Sequence, residues 1–596
     1  MKLKVVFTKS FKILKEFKFF ILISIFLSFF SAIFGGLSIG LLLPIIDQNP
    51  EFVINQLGLD FLNSFLNSVN VTSQIELVRL FAVLIIVMTV FETLFSVLSS
   101  FIAIDISSKI IYKLQTKLVE KYYDLDQIKR NNYESGYVFS LISENSRQIG
   151  NLFSQVLSSF KNIFKVIVYG YVLIKVSLLM TISAFFLLVI LSIIIKAFVG
   201  KKLKKQSEIT LKSIENLNSS LIENLNNSKY IKGTGRSVDF QNRLKTDIGE
   251  FIENYIKRSK ITAISAPIFN TINAVSIALL IILGTLFINV SIDQWLPLMV
   301  PFIIIIFRLV GPINSLNSLR VKLEGVLPDF SRIISFVEDA SQNSTSNGSK
   351  IFDSLNKRIV FENVDFKFSK SRKFQIKNLN LDIEKFNHIA LIGPSGGGKS
   401  TIVDLLMKTY DVQNGNILVD EININDLNTP TWQQKIAFVN QEPTIFNTSI
   451  RNNLLWFSPE SNDTQIIQSL KDAQIYDFIS SLDGGLEHVF NDNGTGLSGG
   501  QKQRIAVARA LLINADLIIF DEATSQIDIT TESEIYDTLL SLKNKVTVLV
   551  VAHRLTAIKN IDKIAIIEDG QLSDFGTIQE LLDYENFYSD SLKKIK

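Results

Sequence analysis

From Phe19 to Ile46 the chain carries no charged side chain. Hydrocarbon offers no water to free backbone N–H and C=O groups, so a run of this length reads as a membrane-crossing helix. It is too long for the apolar part of a cleavable signal, and no small-residue cleavage site stands out. The basic stretch before it, Met1–Phe20, reads as lying at the cytoplasmic interface. Six runs in all come near the ~20 apolar residues that a span needs: 19–46, 79–105, 151–174, 176–199, 261–291 and 294–318. Charge interrupts the second at Glu92, the third at Lys161 and Lys165, and the sixth at Arg308.

Loop charge gives the orientation. The segment Asp47–Val78 holds Asp47, Glu51, Asp60 and Glu76 but no Lys or Arg, and 289–293 has no Lys or Arg either. Lys109–Arg147 and Lys201–Arg258 are rich in both. The positive-inside rule places the N-terminus, both long loops and everything after the sixth run in the cytoplasm. The expected address is therefore the inner (plasma) membrane, crossed several times. A net charge of only +3 makes no case for nucleic acid as a partner, and the lack of cysteine excludes disulfides and thiolate metal sites.

The two long loops read as polar helices, extensions of the spans beyond the bilayer. Asp339–Lys350 has the small, polar composition of a linker. The expected organisation is a transmembrane domain over 1–338, a linker over 339–352 and a soluble domain over 353–596. In the last, β-branched runs such as Val546–Val551 and Lys563–Ile567 alternate with helical patterns, an α/β signature.

That soluble region begins its chemistry at Gly393-Pro-Ser-Gly-Gly-Gly-Lys-Ser-Thr401. The loop follows the apolar run Ile389–Ile392 and opens the helical run Thr401–Met407, the strand–loop–helix context of a phosphate cradle. Gly393, Ser395, Gly396, Gly397 and Gly398 let backbone N–H groups crowd an anion. Lys399 reaches the terminal phosphates, Ser400 offers its hydroxyl to Mg²⁺, and Thr401 continues the loop into the helix. Further on, Leu517-Ile-Ile-Phe-Asp521-Glu522 is an apolar strand ending in two carboxylates. Asp521 belongs to the Mg²⁺ shell, and Glu522 to the attacking water as general base.

With Leu497-Ser-Gly-Gly-Gln501 the pattern resembles the ATP-binding-cassette (ABC) exporters, across essentially the whole chain. The resemblance implies six transmembrane helices fused to an α/β P-loop ATPase domain with a helical subdomain, and ATP and Mg²⁺ as cofactors. It gives Gln441 to the Q-loop, contacting Mg²⁺ and water, and His553 to the switch that touches the γ-phosphate. Asp528 falls in the D-loop, where Gln526 and Ile527 depart from the usual Ala-Leu. Phe368 takes the place of the aromatic that stacks on adenine, against the plainer reading of a core ring. His388 and His488 lack such company and read as structural. Two cassettes of this family meet head to tail, so Ser498, Gly499, Gly500 and Gln501 of one chain would cap the phosphates held by Lys399 of another. One cassette per chain, with its motifs intact, points to a homodimer. Asn131–Ile142 and Glu223–Arg236 resemble the coupling helices of such exporters.

A charge deep in the bilayer is costly, so Glu92, Lys165 and Arg308 should face protein or a wet cavity. Glu92 and Arg308 fall at similar depths, roughly 20 Å from the outer ends of their runs. Two readings stand: an interhelical ion pair, or Arg308 or Lys165 lining the cavity and meeting an anionic head group, for which the Arg fork is suited. Gly35, Gly36 and Gly40 before Pro44 resemble exporters that flip lipid A or lipid-linked oligosaccharides, a pattern that multidrug exporters share. No peptidase domain precedes the first run, which argues against leader-peptide export. The expected function is ATP-driven export or flipping of an amphipathic lipid or glycolipid, with drug or peptide export as the alternative. A channel or regulator on the same scaffold is disfavoured by the intact Glu522 and His553, and a soluble member of the family by the apolar runs.

Overall fold

The computed structural model describes residues 15–42, 74–176, 178, 181–182, 201–287, 292–342, 347–368, 375–490, 494–521, 542–552, 561–583 and 585–590. These fall into two compact units, one of residues 1–125 and 131–343, the other of 126–130 and 344–596.

The first unit is helical: α1 (Lys18–Gly40), α2 (Gln74–Asp124), α3 (Ser146–Val176), α4 (Lys201–Asn226), α5 (Ser237–Phe287) and α6 (Ile292–Gln342). Four described helices are long and apolar enough to cross a membrane, namely Lys18–Gly40, Ile75–Asp124, Ser135–Val176 and Phe302–Gln342. The run 261–291 falls largely within α5, whereas most of 176–199 lies outside the described residues. Helices α2, α5 and α6 have 51 residues each. At 1.5 Å per residue each is roughly 75 Å long, more than twice the hydrocarbon thickness, so they run far beyond the bilayer.

Small residues let α1 and α2 meet closely. Ser24, Ser28, Ser31, Gly35 and Gly36 are all buried on α1. The Ser24 and Ser28 hydroxyls lie 3.1 and 2.8 Å from that of Ser99, and Ser31 donates to the Glu92 carbonyl at 3.0 Å. A Cβ on Gly36 would sit 2.2 Å from Val168 Cγ1 on α3. Such contacts replace the hydrophobic drive that lipid does not supply between helices. Farther along, Ile106, Ile110 and Leu118 of α2, Ile149 and Leu152 of α3, and Phe330 and Phe336 of α6 share a water-soluble type of core. Helix α6 runs on through Asp339, whose carboxylate accepts a 2.6 Å bond from Tyr133. Within Glu223–Arg236 the chain forms a short helix, Ser228–Gly233; within Asn131–Ile142 it forms Ser135–Ser140.

The second unit holds two sheets. The strands are β1 (Arg358–Phe366), β2 (Ile376–Glu384), β3 (His388–Ile392), β4 (Asn414–Val419), β5 (Ile422–Asn423), β6 (Ile436–Val439), β7 (Leu517–Asp521), β8 (Thr547–Val551), β9 (Lys563–Glu568) and β10 (Gln571–Gly576). The antiparallel sheet runs β2-β1-β4-β5 and the main sheet β10-β9-β3-β8-β7-β6. In the main sheet every pair is parallel except β9–β10. All five residues of β3 and all five of β8 are buried, as continuous apolar runs in a two-sided sheet should be. Before β1, Lys350 bridges to Leu427, and Phe352 packs edge-on against the buried Trp432. The segment Asp126–Arg130, helical over Gln127–Arg130, also belongs to this unit, with Ile128 against its core.

Candidate nucleotide site and membrane charges

The phosphate loop joins the end of β3 to α7 (Lys399–Leu406). Gly393 has φ +143° and a Cβ there would lie 2.0 Å from the Ile567 carbonyl oxygen; at Gly397 the same oxygen would be 2.7 Å away. Only glycine lets the loop pass so close to β9. Gly396 and Gly398 are left-handed, at φ +81° and +114°. Gly397 is further held by its carbonyl, which accepts from Gly570 N at 2.9 Å. Ser395 stays exposed at the loop tip and Thr401 is buried in the first turn of α7.

Lys399 is 5% exposed, so its ammonium must find acceptors. It donates to the carbonyls of Gly393 and Pro394 at 2.9 and 3.0 Å, which holds the charge inside the loop. Ser400 Oγ lies 3.5 Å from Asp521 Oδ1, brought there by β7. Two hard oxygen donors converging beside a phosphate cradle fit Mg²⁺. Asp404, one turn into α7, is a site neighbour that sequence reading passed over. Burial pushes its carboxyl up to about 6; the Thr409 hydrogen bond opposes the shift and the Asp521 charge adds to it. Its only signal was a carboxylate inside the apolar run Ile402-Val403-Asp404-Leu405.

The signature opens α8 (Gly499–Leu512) as a capping box. Ser498 Oγ accepts from Gln501 N at 3.2 Å, and Gln501 Oε1 accepts from Ser498 N at 2.8 Å. Gly499 and Gly500 therefore lie in the first helical turn, with their N–H groups at its positive end. Gln441 follows β6, exposed, and its carbonyl accepts from the fully buried Gln503 of α8 at 3.4 Å. A second tie runs through Arg509, also missed from sequence. Its guanidinium reaches the Asn453 carbonyl at 2.9 Å and the Thr444 carbonyl and Asn453 Oδ1 at 2.6 Å each. Burial lowers its pKa to about 10. Phe368 packs edge-on against Phe366 and Tyr410, with ring centroids 5.0 and 5.3 Å away. Glu522, Asp528 and His553 lie outside the described residues.

Two family descriptions match this chain in series: the ABC transporter transmembrane region over residues 18–309 and the ABC transporter over 376–525. The chain belongs to the ABC transporter family. It is an exporter-type half-transporter and an ATPase of the inner membrane, with its ATPase domain in the cytoplasm. It is 29% identical to the ATP-dependent lipid A-core flippase of Pasteurella multocida (strain Pm70), over 81% of this chain and 83% of that one. It is 27% identical to a Bacillus subtilis (strain 168) protein whose name assigns it provisionally to multidrug export, again over 81% and 83%. The fold matches a bacterial Atm1-family ABC exporter solved with ATP bound, at TM-score 0.78 and 20% identity, over 94% of this chain and 98% of that one.

In the exporter's membrane part, Glu92 pairs with Lys165 at 2.5 Å, their side chains only 13% and 18% exposed. Arg308 instead lies beside the Tyr169 hydroxyl. The ion pair is thus interhelical as one reading had it, but it joins α2 to α3, and Arg308 is not its cation. Helical spacing explains the choice: Lys161, Lys165 and Tyr169 share one face of α3 at intervals of four. Along that face Lys161 donates to Ser96 Oγ at 3.2 Å, and Lys165 meets Glu92 one turn away on α2.

Proposed function

We propose that this exporter works as a pair of identical chains, and that ATP hydrolysis drives an amphipathic lipid or glycolipid across the inner membrane. The observation that carries the energy-coupling part is the approach of Ser400 to Asp521 at the foot of the phosphate loop. There the Gly393–Gly398 backbone and Lys399 bind and orient the phosphates of ATP. Ser400, Asp521 and Gln441 would hold Mg²⁺, which when bound supplies charge neutralisation on the β- and γ-oxygens. Glu522 takes a proton from the attacking water, and His553 donates to the γ-phosphate. Phe368 offers an aromatic face on which the adenine stacks, and Asp528 stands at the contact between cassettes. Ser498, Gly499, Gly500 and Gln501 of the partner chain close the site, so each of two sites draws on both chains.

The cargo reading rests on the lipid A-core flippase relative and on cations within the spans. Lys161 and Arg308 remain beyond the one charge that Glu92 neutralises, a surplus suited to an acidic head group. The Bacillus relative favours the second reading, a multidrug or peptide exporter. Reconstitution into liposomes with labelled lipids, glycolipids and drugs tests both. ATP-dependent movement of acidic glycolipid supports the first, and movement of drugs or peptides alone replaces it with the second. Pairing is tested separately. The chain has no cysteine, so one cysteine at Ser395 and one at Ser498 report cleanly. A crosslink between chains is expected, and one formed only within a chain removes the composite site.

A further inference from the structure

Beside the cytoplasmic ends of the apolar runs in α3, α5 and α6, these helices and Leu203 of α4 line an open cavity of about 510 Å³. Its walls follow helical spacing. Gln148, Asn151 and Gln155 share one face of α3 at intervals of three and four; Arg258 and Ser259 reach the cavity from α5, and Lys322 from α6. These six are polar, and two are cations; Leu152, Leu203, Ala263 and Val326 supply the apolar part of the wall.

What distinguishes the cavity is unused hydrogen-bonding capacity. Among the described residues neither Arg258 nor Lys322 forms an ion pair within 4.0 Å, and the side chains of Asn151, Gln155 and Ser259 have no protein partner. Gln148 is the exception, donating to Glu144 Oε1 at 2.6 Å. Arg332, the next cation along α6, is already bound to Glu215 at 2.8 Å. Two carboxylates lie behind the wall: Glu144, whose charge Arg147 already pairs, and Asp329, 1% exposed, with no hydrogen bond to either oxygen. Asp329 offsets part of the Arg258 charge from a distance and leaves Lys322 in excess. Donors therefore outnumber acceptors, and positive charge outnumbers negative, in a half-buried pocket within a few residues of the ends of the apolar runs. The cytoplasmic leaflet is where acidic lipids concentrate, and basic pockets between helices on that side suit their head groups. An Arg fork beside amide and hydroxyl donors matches the tetrahedral oxygens of a phosphate ester.

We propose that this cavity binds a phosphate ester, presented by an acidic phospholipid head group of the cytoplasmic leaflet or by a soluble phosphate compound. The site lies within one chain, so it requires neither the partner chain nor any particular cargo. Arg258 and Lys322 hold the charge, and Asn151, Gln155 and Ser259 donate to the remaining oxygens.

The test uses the full chain purified in detergent. Native mass spectrometry measures retained phosphatidylglycerol against phosphatidylcholine, with glycerol 3-phosphate as competitor. The wild type should prefer phosphatidylglycerol by about tenfold or more, the weight of one charge-assisted contact. Lys322→Gln and the double variant Arg258→Gln/Lys322→Gln should bring the preference close to unity, and Arg258→Lys should keep part of it. Lys257→Gln, an exposed position already paired with Glu253, should change nothing. Displacement of the lipid by millimolar glycerol 3-phosphate would show that the phosphate alone is recognised. Tight binding of that compound without lipid retention would make the soluble source the ligand. Lys322 lies exposed on α6, so its single variant remains informative if the double variant misfolds. A preference that survives Lys322→Gln unchanged, one that falls equally in Lys257→Gln, or no binding of either probe overturns the proposal.

Discussion

Ser400 and Asp521 are 121 positions apart in sequence, yet Ser400 Oγ lies 3.5 Å from Asp521 Oδ1. The parallel pairing of β7 with β8, and of β8 with β3, brings the two strand ends together. A divalent cation between them would neutralise phosphate charge that Lys399 alone cannot. Asp521→Asn should therefore lower ATP hydrolysis by about a hundredfold or more, because metal ligation supplies several kcal/mol to such a transition state. Ser400→Ala should raise the Mg²⁺ concentration needed for half-maximal rate. Phosphate release measured across a Mg²⁺ titration decides it, and a wild-type titration curve in both variants would exclude the assignment.

Glu522 follows Asp521 directly in sequence, in the position proposed for the general base. Glu522→Gln should leave ATP binding intact while hydrolysis falls by at least about a hundredfold. Filter binding and single-turnover phosphate release separate the two effects. Near-normal release would move the base elsewhere.

The Glu92–Lys165 pair is largely buried, with side chains 13% and 18% exposed. Glu92→Gln or Lys165→Met alone leaves one buried charge without its partner, a loss of about 3–5 kcal/mol. The double variant should recover most of that stability, since an apolar and amide pair has no charge to bury. Thermal midpoints in detergent complete the cycle. A double variant as unstable as the two single losses combined would dissolve the pairing. Exchanging Glu92 with Arg308 should give no rescue, because the cation that Glu92 meets is Lys165.

His388 is 2% exposed at the start of β3, and its Nε2 has no hydrogen-bond partner. Burial holds its pKa below the ordinary 6.5; the Asp562 carboxylate opposes this and the Lys543 ammonium adds to it. The unfolded chain takes up a proton near pH 6.5 that the native state refuses. Stability from this group is complete above that pH and is lost as pH falls below it. The thermal midpoint of the wild type should drop more steeply between pH 7.5 and 5.5 than that of His388→Gln. Parallel curves would show that the histidine titrates alike in both states.

Several expectations rested on residues that are neighbours in the chain. The phosphate loop is one: its glycines were to let backbone N–H groups crowd an anion, and φ is positive at Gly393, Gly396 and Gly398. The signature is another contiguous motif, and in the fold its Ser498 and Gln501, three apart, close a capping box with each other. Arg509 and Asp404 were not legible in this way. Each is marked by burial, and burial depends on what the rest of the fold puts above it.

The sequence by itself determined that this chain crosses a membrane and where it cradles phosphate. Both follow from local physics: transfer free energy accumulates along contiguous apolar residues, and loop shape is dictated by consecutive dihedral angles. Tertiary structure alone decided which charges meet. Glu92 lies 73 positions from Lys165, and only the rotation of α2 against α3 selects Lys165 over Arg308. The closeness of Gly393 to Ile567, and the meeting of Arg258 and Lys322 at the cytoplasmic cavity, were decided in the same way. A distance between residues far apart in the chain depends on the packing of whole elements, and no local pattern carries it.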